Sequence, residues 1–199
     1  SDGHASRSRQ AVTRPSAAAG AMSLIGSSPT NRQSAAACPD HPIVLTPHAR
    51  AHVREALAAR IGAAFRRAGL DPQRHLRVLP MLPWPQFLGL AQGAHAMLDS
   101  LDWSGGNTTL ETLAWGVPVV TLPGATMRSR HSAAMLALGG LDELIAEDAT
   151  GYVARVRQLV LEPGWRHEVA QRVRAAAPVW YDTRAPLAAL CEALRPSRS

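Results

Sequence analysis

The stretch LDSLDWSGGNTTLE, residues 98–111, holds the densest run of groups able to bind a small anion. Gly105 and Gly106 let backbone approach a ligand closely, because no Cβ stands in the way. Asn107, Thr108 and Thr109 then supply an amide and two hydroxyls at the start of a predicted helix. Free N–H groups and the positive end of the dipole at such a start suit a phosphate or diphosphate. Glu111 follows one turn later. A carboxylate there is too close to phosphate to be its ligand. It is well placed to accept hydrogen bonds from a ribose diol one unit further along a nucleotide. Glycines, hydroxyls and then an acid thus fit a nucleoside diphosphate better than inorganic phosphate. The same residues also suit an ordinary capped helix, since Asn and Thr are good N-caps and an acid in the first turn favours the dipole.

A second loop, LPMLPWPQFLGL (79–90), sets Trp84 and Phe87 beside prolines at the end of a predicted strand. Aromatics there can stack on a nucleobase while loop backbone reads its edge. Core packing is the competing role. Arg128, Arg130 and His131 follow another strand and are able to neutralise a departing diphosphate. Capping the strand, or pairing with Asp142 and Glu143, would occupy them equally well. Asp99 and Asp102 invite comparison with a glycosidase pair, but their loop position favours turn-forming and capping roles. His48, His52 and Glu55 have helical spacing for a metal, yet no third ligand converges with them, so no metal is expected. No catalytic residue is assigned.

These groups need a scaffold. Apolar runs at His41–Thr46, Leu76–Pro80, Ala94–Asp99 and Gly116–Gly124 read as strands. Helical patterns fall at Ala49–Ala68, Trp84–Gly93, Asn107–Trp115, Arg128–Leu138, Ala149–Leu161, Gly164–Ala176 and Thr183–Leu194. In the first of these, Val53, Leu57, Ile61 and Phe65 form a stripe. Strands alternating with helices predict an α/β fold, an incomplete Rossmann-like parallel sheet. Apolar rather than alternating strands agree, since helices then cover both faces. Ligands of such sheets sit outside the carboxyl ends of the strands, where both loops lie.

Composition sets the outer bounds. The chain has 199 residues, 46% of them hydrophobic, and 21 basic against 15 acidic groups. Lys is absent, so every basic residue is Arg. The charges are too sparse, with no basic stripe, for a nucleic-acid surface. No apolar run approaches the roughly 20 residues of a membrane helix. Cys38 and Cys191 read as reduced thiols of a cytoplasmic protein. The start, SDGHASRSRQ, has neither an initiator Met nor a secretory pattern, and the chain reads as a piece of something longer. Residues 1–39 read as a disordered or low-complexity tail, and residues 40–199 as the folded domain.

Read as one block, SGGNTTLETLAWGVPVVTLPG (104–124), MRSRHSAAML (127–136) and GLDELIA (140–146) resemble the O-GlcNAc transferase/SPINDLY family, glycosyltransferase family 41. The likeness is to the C-terminal half of the catalytic region, most of all in bacterial members with tetratricopeptide repeats. It continues upstream through residues 77–103 and downstream through 148–160, covering roughly 40–196. The resemblance implies the C-terminal, nucleotide-binding half of a glycosyltransferase B-type fold. It implies a sugar nucleotide, usually UDP-GlcNAc, as donor and a protein Ser or Thr hydroxyl as acceptor, with inversion at the anomeric carbon. Carried over by position, the backbone of Leu82 and Trp84 reads the uracil, and Phe87 lies over the base where the animal enzymes place a His. Gly106, Asn107 and Thr108 hold the diphosphate, and Glu111 binds the ribose where many relatives have Asp.

The departures count as well. The family's N-terminal catalytic domain, its repeats, and the first strands of the nucleotide domain with their phosphate-contacting Gln and Lys have no match here. The resemblance therefore implies a fragment inactive by itself. A GDP-fucose-dependent O-fucosyltransferase and a non-catalytic nucleotide-binding or interaction module are the alternatives.

Overall fold

The computed structural model describes residues 22–23, 29–46, 50–181 and 184–195. Five short strands alternate with helices, and all pair in parallel. The strands are β1 (Met22–Ser23), β2 (Ile43–Leu45), β3 (Leu76–Val78), β4 (Met97–Leu98) and β5 (Val119–Val120). The helices are α1 (Pro29–Ala37), α2 (Ala51–Arg67), α3 (Pro72–His75), α4 (Trp84–Gly93), α5 (Asn107–Ala114), α6 (His131–Leu138), α7 (Ala149–Leu161), α8 (Pro163–Tyr181) and α9 (Ala185–Ala193). This is the α/β parallel-sheet architecture that the alternation predicts.

The strand order is β3-β2-β1-β4-β5, with Met22 opposite both Val44 and Met97. The first three strands progress one way from β1 and the last two the other way. The order reverses between β1 and β4, which makes the crevice beyond their carboxyl ends the place for a ligand. The loop carrying Gly105 and Gly106 leaves β4 at that point.

The core is continuous across the sheet. Ile43, Leu45, Met97, Leu98, Val119 and Val120 are buried with Leu113, Leu136, Leu144, Val156 and Val173. Each such side chain contributes roughly 1.5–3 kcal/mol of apolar transfer free energy. The α2 stripe joins this core only in its second half. Ile61 and Phe65 are buried and Leu57 half-buried, while Val53 is exposed.

Two sequence expectations change. Residues 22–23 and 29–38 do not lie in a tail. β1 is the central strand, and α1 packs on α7 with Thr30, Asn31, Ser34, Ala35 and Cys38 buried. Small side chains let α1 approach closely, so it needs few large apolar residues, and composition alone misses it. The remainder of residues 1–39 falls outside the described residues. β2 falls inside the run expected as a strand at His41–Thr46, whereas β1 had no counterpart among the expected strands.

Helix α8 also runs past its expected end at Ala176, through Pro178 to Tyr181. Two tertiary hydrogen bonds hold that last turn. Trp180 Nε1–H donates to Met135 O at 2.8 Å, and Tyr181 O–H donates to Leu110 O at 2.7 Å.

Candidate functional site: the loop between β4 and α5

Asp99 ends β4 and organises the loop that follows. Its Oδ2 accepts from Ser104 Oγ at 2.7 Å and from Thr121 Oγ1 at 2.7 Å. Its Oδ1 accepts from the Gly105 N–H at 2.8 Å, and its backbone carbonyl accepts from the buried Tyr152 hydroxyl at 3.3 Å. A buried carboxylate needs such donors to offset its lost hydration. Ser132 extends the network from α6. Its N–H donates to Ser104 Oγ at 2.9 Å, and its hydroxyl lies 2.8 Å from Thr109 Oγ1. Asp99 therefore has the turn-forming role expected of it, while Asp102 is exposed. Ser104, Thr121, Ser132 and Tyr152 were not singled out from the sequence. Thr121, a polar residue inside the apolar run GVPVVTLPG, was the one local signal.

This network fixes what the start of α5 presents. Gly105 is required by packing rather than by a ligand, since a Cβ there would run into Thr109 Oγ1. Its N–H is also taken by Asp99. Thr109 is placed otherwise than expected. It is 0% exposed, its hydroxyl meets Ser132, and its N–H donates to Gly106 O at 3.0 Å. No group of Thr109 is left for a ligand. At Gly106, by contrast, nothing lies within 4 Å of where a Cβ would stand. Helix α5 has no side-chain cap. Among the described residues, none accepts from the N–H groups of Gly106, Asn107 or Thr108. The ordinary capped helix is not what forms here.

A cleft of about 160 Å³ opens over this start, lined by Asp99, Ser100, Trp103, Gly105, Gly106 and Thr108 among others. Asn107 is exposed, and its side chain does not line the cleft. Glu111 is half-buried one turn on and also lies off the lining. Burial raises its carboxyl above the ordinary carboxylate value. Tyr181, whose hydroxyl donates to Leu110 O, is raised first by burial and then by the Glu111 charge.

Arg128 stands at the rim. Its guanidinium carbon is 5.2 Å from the ring centre of Trp103, and its backbone carbonyl accepts from the Ser104 N–H at 2.8 Å. Arg130 caps the loop after β5, donating from Nη1 to Gly124 O at 3.3 Å. Glu143 pairs with Arg172 rather than with Arg128 or Arg130. His131 begins α6 and is half-buried.

The aromatic loop leaves the carboxyl end of β3, the same end of the parallel sheet, and α4 packs on α5. Trp84 is 50% exposed and stacks on the half-buried Phe87, with ring centres 5.7 Å apart. Core packing thus does not take Trp84. The Leu82 side chain packs on the small cluster of Val44, Leu90 and Ala91. Among the described residues no backbone group accepts from the Leu82 or Trp84 N–H. Those two donors remain available at the loop surface.

Other candidates are not brought together. His52 and Glu55 are exposed on α2, and His48 lies outside the described residues. Among the described residues no three His, Cys, Asp or Glu side chains converge. Cys38 is buried, with its thiol pushed up by burial, and Cys191 is exposed. Trp165 and Trp180 pack against the core, whereas Leu187 and Leu190 of α9 and Leu194 just after it are exposed. No helix among the described residues is long and apolar enough to cross a membrane.

The sequence pattern of Glycosyl transferase family 41 matches residues 58–185, well over half of the 199 residues. The chain belongs to glycosyltransferase family 41. The matched segment contains β3 to β5 and both loops of this family 41 domain. The domain's fold is similar to that of a mutant O-GlcNAc transferase from Thermobaculum terrenum, with a TM-score of 0.76 at 24% identity. That likeness covers 90% of this chain and 36% of the other. The chain thus spans well under half the length of that structural neighbour, and the similarity concerns fold.

Proposed function

We propose that this chain is the donor-nucleotide half of a protein O-glycosyltransferase. It binds UDP-GlcNAc for transfer to a Ser or Thr hydroxyl. The carrying observation is the start of α5: three N–H groups without acceptors, uncapped, under a cleft at the point where the strand order reverses. Family 41 membership and the likeness to an O-GlcNAc transferase support the same reading.

As the anomeric C–O bond breaks, negative charge collects on the departing diphosphate. Fixed N–H dipoles already aimed there stabilise it without reorganising. Gly106, Asn107 and Thr108 supply them, and Arg128 at the rim adds a positive charge in a chain without Lys. Glu111 accepts from the ribose diol. A carboxylate already raised by burial gains from two such donors. Trp84 and Phe87 take the base against their faces, and the Leu82 and Trp84 N–H groups meet its edge. No metal is assigned. The acceptor-activating machinery and the repeats that select acceptors belong to parts of a longer protein, which makes this chain inactive alone. A SPINDLY-type donor, GDP-fucose, would use the same diphosphate grip with a different base fit.

Thermal unfolding with UDP tests this. UDP is expected to raise the Tm of the chain, and Glu111→Ala to abolish most of that rise. Undiminished protection of the Glu111→Ala variant removes Glu111 from the ribose role. Equal protection by UDP and GDP removes the base assignment.

A further inference from the structure

A cavity of about 250 Å³ lies at the other end of the sheet, before β4 and β5. Its lining includes Gln92, His95, Trp115, Arg166, His167 and Arg174, and no Asp or Glu. Among the described residues Arg174 makes no ion pair and no hydrogen bond. Its side chain lies across Gly116, where a Cβ would meet Arg174 Cζ at 2.9 Å. This exposed residue therefore lies at the cavity with all five donors unspent. Arg166 spends Nη1 on the last carbonyls of α7, at 2.7 Å to Leu159 O and 3.0 Å to Val160 O. Its remaining donors have no carboxylate. Unlike most surface arginines, both guanidiniums face a concave space with no counter-charge. His95 Nδ1 is buried without a hydrogen-bond partner, and Trp115, 44% exposed, offers an apolar wall.

Planar donor forks without a carboxylate match the oxygens of a phosphate, and a flat aromatic wall matches the body that carries one. We propose that this cavity is a second binding site, for a small phosphate-bearing molecule held between Arg166 and Arg174. It lies on the opposite edge from the α5 cleft and does not depend on the donor assignment.

Phenyl phosphate, titrated calorimetrically into the 199-residue chain at about 0.15 M ionic strength to screen loose surface attraction, is the probe. Arg174→Gln removes a charge that bonds to nothing, so the variant is expected to keep its Tm and to bind about tenfold more weakly. Gln92→Glu, at an exposed position, puts a carboxylate among the guanidiniums and is expected to weaken binding as strongly. Arg60→Gln, at an exposed position on α2 outside the cavity lining, is expected to change nothing. Unaltered binding in both cavity variants, or an equal loss in Arg60→Gln, overturns the proposal. Phosphatidylcholine vesicles with and without phosphatidylinositol phosphate separate the sources. Sedimentation that Arg174→Gln loses puts the phosphate on a lipid headgroup. Binding of phenyl phosphate alone puts it on a soluble molecule, and binding in neither arm overturns the proposal.

Discussion

A neutral histidine shows how local environment sets a charge. Burial, then Arg166, then His41 lower the His95 imidazole from 6.5 to about 4. Its ring centre is 5.1 Å from that of His41. The unfolded chain binds a proton here below pH 6.5, whereas the folded chain resists until about 4. The unfolded state thus holds more protons in that window, and stability falls as the pH drops through it. Urea midpoints measured from pH 7 to 4 should show that fall, and His95→Asn should flatten it. At Gly105 the controlling force is steric. Gly105→Ala drives a Cβ into Thr109 Oγ1 and disturbs the Asp99 network. We expect a loss of roughly 1–3 kcal/mol, read from denaturant unfolding. An unchanged midpoint would mean that Thr109 turns aside at no cost.

Elements behave as their caps and contacts direct. Helix α7 begins where Asp148 accepts from the Gly151 N–H at 2.7 Å, and α3 where Asp71 accepts from the Gln73 N–H at 2.9 Å. Such side-chain bonds fix a helix start locally; the sequence places the start of α7 in this way, whereas the four-residue α3 was not read from it. Helix α5 lacks one and is left with unpaired donors, which is why its start is a site rather than only an end. The end of α8 is held from elsewhere. Trp180→Phe removes the indole donor and leaves the Met135 carbonyl with the Gly139 N–H alone, and we expect a loss of about 1 kcal/mol with fraying of the turn beyond Pro178. Amide exchange of residues 177–181 checks this. Unaltered exchange would show the turn stands by itself.

At the scale of the whole molecule the decisive element is one of the shortest, the two-residue β1. β1 joins β2 to β4, so its removal splits the sheet in two. A chain starting at Asp40 also loses α1 from its seat on α7. We expect that truncation to abolish cooperative unfolding, seen as a loss of near-UV dichroism. A sharp transition in the truncated chain would show that residues 22–38 are dispensable.

What could be read beforehand follows from range. The parallel α/β pattern, the starts of α4 and α5, and the open Gly106 lie in contiguous residues with local period and turn chemistry. The sequence by itself determined these, because each depends on neighbours a few positions away. Only the tertiary structure decided which donors remain free. Thr109 and Gly105 read as ligand groups in isolation, yet Ser132 and Asp99 claim them across 23 and 6 positions. β1 was illegible for the same reason, since two residues carry no period and become a strand only between partners far along the chain. Hydrogen bonds and packing are settled in space, and a one-dimensional pattern cannot rank the partners that compete for one group.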